Sequence, residues 1–97
     1  MKLLLIIYST AADDDVLTAL KKAGVKAYTK MLEACGEGSE TEPKLGTHYW
    51  PGRNNILFIA ADKDEIDIIT ETLLVLKREH PKAGIRSFIL PVEEQIL

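Results

Sequence analysis

The sequence predicts an α+β fold with its elements in the order strand, helix, strand, strand, helix, strand. Three observations carry this. Two short, continuous apolar runs, residues 3–8 (Leu-Leu-Leu-Ile-Ile-Tyr) and 56–61 (Ile-Leu-Phe-Ile-Ala-Ala), have the length and branching of strands buried on both faces. Each run is followed by a stretch with helical spacing and an acidic start. Two less apolar segments, 25–34 and 84–90, carry Lys26, Lys30 and Arg86 and read as further strands. Two crossovers on one antiparallel sheet make a split βαββαβ sandwich of the ferredoxin-like kind. That topology puts the first and third strands in the centre, where the apolar runs fall. It puts the second and fourth at the edges, where lysines discourage stray pairing.

The first helix begins after Ser9. Thr10 and Asp13 have the spacing of a capping box, and Asp13, Asp14 and Asp15 sit in the first turn, where the helix dipole favours negative charge. Helix-start electrostatics is preferred to a metal site for this triplet, since nothing nearby completes a ligand set. Val16, Leu17, Leu20 and Ala23 make the buried stripe, Lys21 and Lys22 close it, and Gly24 supplies a left-handed stop. In residues 25–34, Val25, Ala27, Thr29 and Met31 share one face and Lys26, Tyr28, Lys30 and Leu32 the other. The second helix opens with Asp62 as N-cap and Glu65 three residues on. Its stripe is Ile66, Ile69, Leu73 and Leu76, flanked by Ile68 and Val75, and Pro81 ends it. His80, at that helix end, is explained by the negative dipole.

The whole chain, residues 1–97, reads as one domain. With 46% hydrophobic and 28% charged residues it has a globular balance, not that of a disordered segment. A net charge of −3 gives no nucleic-acid footprint. The single cysteine, Cys35, excludes an internal disulfide and a multi-cysteine zinc knuckle. The opening apolar run is too short to span a membrane and lacks a small-residue cleavage site, so a cytoplasmic location is expected. The central strands show no polar alternation. Two helices cover one sheet face, so the other also needs a cover, and a partner copy is the simplest one.

From Cys35 to about Arg53 the pattern dissolves into a loop too long for a simple connection. Gly36 and Gly38 at its base let backbone N–H groups approach an anion, or serve as plain turn residues. His48, Tyr49 and Trp50 lie in Gly-Thr-His-Tyr-Trp-Pro-Gly, which suits a partner-binding surface and a cluster folded onto its own domain about equally. Cys35, His48 and Glu37 are a candidate metal set, ranked below an ordinary buried Cys35 and a hydrogen-bonded His48. No nucleophile elbow, Walker loop or His-Glu-x-x-His is present, so no enzyme is expected.

Gly24-Val25-Lys26-Ala27-Tyr28-Thr29, then Gly36-Glu37-Gly38, then Phe88-Ile89-Leu90-Pro91-Val92-Glu93-Glu94 resemble the PII nitrogen-regulatory signalling proteins over nearly the whole chain. The resemblance implies a non-catalytic homotrimer with ferredoxin-like protomers and the sheets packed inside. It also implies adenine nucleotides in clefts between subunits, and a long T-loop, here about residues 36–54, that docks on a target protein such as a membrane transporter. On this resemblance Thr29, Gly36 and Gly38 line the nucleotide cleft, and Arg86 stands where the family has a phosphate-binding lysine. The chain departs from the family in its short Pro81–Arg86 segment, in lacking a basic C-terminal stretch, and in lacking a Tyr-Arg-Gly loop site. Which nucleotide is bound, and whether 2-oxoglutarate is sensed, therefore stay open. The Trp-Pro-Gly loop is also similar to that of shortened relatives found beside heavy-metal efflux pumps. This gives a second reading: a metal-responsive PII-like or CutA-like trimer binding Cu or Zn near Cys35 and His48.

Overall fold

The computed structural model describes residues 1–39 and 42–97. Strand β1 (Lys2–Ser9) alternates within the single chain, with Leu4, Ile6 and Tyr8 buried and Leu3, Leu5 and Ile7 half-buried. A 3-10 turn, Thr10–Ala12, leads into helix α1 (Asp13–Lys22). The expected Thr10–Asp13 capping box does not form. Ala12 is the N-cap and no side chain bonds to it. The Thr10 hydroxyl donates instead to Asn55 Oδ1 at 2.9 Å, and Asp13 accepts bonds from other elements. The Thr10 N–H that Asp13 would have to reach is taken by the Arg53 carbonyl at 2.9 Å, and Asp13 accepts from Tyr8, Lys30 and Asn55 instead. The helix ends as expected, with Gly24 at φ 96°.

Strand β2 (Thr29–Ala34) begins later than the alternation predicts. The Val25 N–H is taken by the Leu20 carbonyl at 3.0 Å and its side chain packs on the core, which holds residues 25–28 off the ladder. Strand β3 (Asn54–Ala61) is followed by helix α2 (Lys63–Glu79), whose first turn is capped by Asp62 accepting from the Glu65 N–H at 3.0 Å. Ile66, Ile69, Leu73 and Leu76 are buried as the spacing predicts, each contributing about 1.5–3 kcal/mol. Ile68 and Val75 do not flank that stripe inside the core but are exposed, lining a groove beside Ala19 and Ala23. A 3-10 turn, Pro81–Ala83, and Gly84 at φ 64° lead into strand β4 (Arg86–Pro91), two residues later than expected.

The sheet order is β2-β3-β1-β4 with every neighbouring pair antiparallel, so β1 and β3 are central and β2 and β4 are edges, as predicted. Both helices cover one face over a single cluster of buried side chains. On the other face Leu3, Leu5 and Ile7 stand in register with Ala60, Phe58 and Ile56 on one side and Leu90, Phe88 and Arg86 on the other. Opposed residues share a face, so this is one continuous apolar surface. Phe88 is 52% exposed within the chain.

Strand β2 carries one irregularity. Met31 pairs with Ile56 and Ala34 with Asn54, so Leu32 and Glu33 together stand opposite Asn55. This is a β-bulge. Glu33 adopts φ 58°, a left-handed conformation that side chains disfavour.

Candidate functional site

The end of β2, the base of the long loop and the start of β4 enclose a cavity of about 190 Å³. Gly36 and Lys44 close the loop base with two backbone bonds, Gly36 N–H to the Lys44 carbonyl at 2.7 Å and the reverse at 2.8 Å. Gly38 lies against the Arg86 guanidinium so closely that a Cβ there would sit 2.6 Å from Nη2. The arginine therefore lies on bare backbone, which only glycine permits at that separation. No ion pair engages Arg86 among the described residues, which leaves a guanidinium fork facing the cavity beside loop-base backbone. A fork in that position suits a phosphate or carboxylate.

Of the residues predicted for a ligand site, the structure thus brings Gly36, Gly38 and Arg86 together. Thr29 does not line this cavity; it pairs with Phe58 on the open sheet face. Gly84 and Asn54 also line the cavity and were not predicted. The left-handed Gly84, just before β4, was the available signal for the first.

The second half of the loop is built of tight turns. The Trp50 carbonyl accepts from Thr47 N–H at 2.9 Å and Leu45 N–H at 3.3 Å, and the Thr47 hydroxyl accepts from Trp50 N–H at 3.1 Å. Gly46, at φ 65°, bonds to the Gly52 carbonyl at 3.1 Å. Trp50 faces a larger cavity of about 540 Å³ whose far wall is Ser9, Pro81 and Lys82, while Tyr49 is 86% exposed. Both aromatic residues line that cavity, and Trp50 is the more covered of the two, at 40% exposed. His48 is exposed, with its ring edge-on to Tyr49 at 6.0 Å.

Cys35 is exposed, not buried as the sequence suggests, because it lies beyond the end of β2 where no element covers it. Its thiol donates to the Leu45 carbonyl at 3.4 Å. Among the described residues no group of three or more His, Cys, Asp or Glu side chains is placed to hold a metal. Nor is any helix among them long and apolar enough to cross a membrane.

Behind the loop base lies a polar network that the sequence does not announce. Tyr8 OH donates to Asp13 Oδ1 at 2.5 Å, Asn55 Nδ2 to the same oxygen at 3.0 Å, and Lys30 Nζ to Oδ2 at 2.9 Å. Burial alone would raise the Asp13 carboxyl; the bonds from Tyr8, Lys30 and Asn55 together outweigh it and hold it below the usual carboxylate range. Burial, then the bond to Asp13, pushes the Tyr8 phenol well above its ordinary value. The Asp13 hydrogen bond raises Lys30. Tyr8 and Asn55 are both buried, and no buried side-chain polar atom among the described residues lacks a partner.

A family model described as nitrogen regulatory protein P-II matches residues 1–97. A search of curated proteins returns no match. Among solved structures, CPII from Thiomonas intermedia K12 bound to ADP and bicarbonate is similar with a TM-score of 0.72 and 22% identity, over 91% of this chain and 81% of that one. The same protein bound to ADP, AMP and bicarbonate gives 0.70 and 21%, over 98% and 94%. A putative PII-like signalling protein from Thermus thermophilus gives 0.59 and 19%, over 91% and 82%. At these identities the structures speak to the fold; with the family match over the full length, the chain belongs to the P-II nitrogen regulatory protein family.

Proposed function

We propose that this chain is a non-catalytic signalling subunit that works as a cytoplasmic homotrimer. It takes an adenine nucleotide at the loop base and reports occupancy to a target protein through the 36–54 loop. The observation that carries the reading is the Arg86 guanidinium held over the Gly38 backbone, with no ion-pair partner among the described residues. The ligands of similar structures, ADP, AMP and bicarbonate, define the panel to test, and a membrane transporter is the target class the family resemblance points to. In a trimer the apolar sheet faces pack inward, and Thr29, on that same face, turns toward a neighbouring subunit. A phosphate or carboxylate on Arg86 orders the loop base, and the loop, closed by its own turns, carries that order to Tyr49 and Trp50.

Calorimetry with ATP, ADP and AMP, each with and without bicarbonate, tests this directly, with Cu and Zn ions as the contrasting arm for the metal reading. At least one adenine nucleotide is expected to bind, and Arg86→Ala to weaken it by roughly 1.5–3 kcal/mol, the range of a charge-assisted bond. No heat with any nucleotide overturns the reading.

The fluorescence of Trp50 reports the loop, since it is the single tryptophan and is 40% exposed. Emission is expected to be quencher-accessible in the free protein and to shift blue when the nucleotide or target binds. A quencher-resistant signal that no binding ligand moves makes Trp50 structural.

A further inference from the structure

We infer that Asn55 is a positioning residue for the loop-base cavity, acting through the β2 bulge that it faces. This rests on the proposed ligand reading only for what the cavity holds. Ile7, Ile56 and Arg86 share the open sheet face, because Ile7 pairs with both of the others. Met31, opposite Ile56, points the same way. Side chains alternate along a strand, so in an unbroken ladder Ala34, three residues after Met31, would point to the helix face. The extra residue in the bulge cancels that. It moves Ala34 from a place opposite Arg53 to one opposite Asn54, on the face where Arg86 lies. A one-residue slip turns everything after it over. The bulge is therefore what delivers the chain entering Gly36 and Gly38 to the arginine.

The bulge is held in an unfavourable conformation. Glu33 takes φ 58°, and the side chain directly opposite, Asn55, meets it. Asn55 Oδ1 accepts from the Glu33 N–H at 3.4 Å and from the Thr10 hydroxyl at 2.9 Å, while Nδ2 donates to Asp13 at 3.0 Å. An ionised carboxylate only accepts, so Asp13 fixes which way the amide faces and leaves the oxygen toward Glu33. A buried side chain with both ends engaged cannot turn away from the bulge without stranding a polar atom.

NMR of the 15N-labelled full chain tests this. Asn55→Ala is expected to lose the cross-strand contact between Ala34 and Asn54 and to move the Gly36 and Gly38 amide resonances. Adding Glu33→Gly, which reaches positive φ without a Cβ clash, is expected to restore both. ADP affinity should fall about tenfold or more in the single variant and recover in the double. Asn55→Ala with the Ala34–Asn54 contact and both glycine amides unmoved overturns the inference. If Asn55→Ala does not fold, the double variant decides: regained folding with the native register supports the inference. A double variant as unfolded as the single overturns it, because the loss then lies in the core. If the unaltered chain takes neither ATP, ADP nor AMP, the nucleotide reading falls and the register measurement still decides the role of Asn55.

Discussion

Phe88→Asp should turn the assembly into a folded single subunit. Light scattering is expected to give one chain of 10.8 kDa for the variant and three such chains for the unaltered protein. Phe88 sits on an edge strand, opposite Leu5, and is 52% exposed within the chain, so its loss opens no cavity in the core beneath the helices. What it changes is the apolar sheet face. Covering the exposed part of a phenylalanine stabilises an interface by about 1–2 kcal/mol per subunit, and a carboxylate buried there costs several kcal/mol more. In a cyclic trimer the change enters every interface at once. Circular dichroism should show the fold retained. A Phe88→Asp chain that still scatters as a trimer would place the interface elsewhere, and an unaltered chain that scatters as a monomer at micromolar concentration would remove the trimer.

Asp13→Ala should lower unfolding stability by about 2–4 kcal/mol, because it strands a phenol and an amide that are buried and a lysine at the edge of the core. Chemical denaturation measures this. The same group shapes the pH profile. The Asp13 carboxyl is depressed in the folded chain, so its contribution is present above the ordinary carboxylate range near ~3.9 and fades as pH falls through the lower folded value. The Tyr8 phenol is raised, so its contribution is complete below about 10 and is lost only as pH climbs toward the folded value. Stability should therefore hold between these limits, and Asp13→Ala should flatten the acid limb. An unchanged acid limb would mean that other carboxylates govern it.

Most of the fold is legible in the sequence because hydrophobic periodicity and capping are local signals. The α2 stripe and its Asp62 cap are found where the spacing puts them, and the central placement of β1 and β3 follows from their unbroken apolar runs. The misread parts depend on distant partners. Thr10 and Asp13 look like a cap until Asn55, Tyr8 and Lys30 are seen to claim them. Lys30 looks like an exposed edge residue until β2 is folded against α1. Gly36, Gly38 and Arg86 could be named from residue type and resemblance, yet their meeting depends on the bulge. A bulge leaves almost no mark in a short alternating strand, since Leu32-Glu33 continues the pattern as well as interrupts it. Asn55 gives no hint either, since it sits beside Arg53 and Asn54 just before the 56–61 run, where a polar strand end is ordinary.

That same extra residue has a meaning for sequence comparison. In an alignment it is a single column, and a relative lacking it would show one gap at 32–33 and little else. Its core pattern, helices and closing motif would score as before. Yet deleting either residue from this chain would restore an unbroken ladder and carry Gly36 and Gly38 away from Arg86. If the proposed ligand reading holds, the presence of that column among divergent relatives is a sharper marker of the loop-base cavity than overall identity. A one-residue indel there separates chains that keep the fold with the site from chains that keep the fold alone.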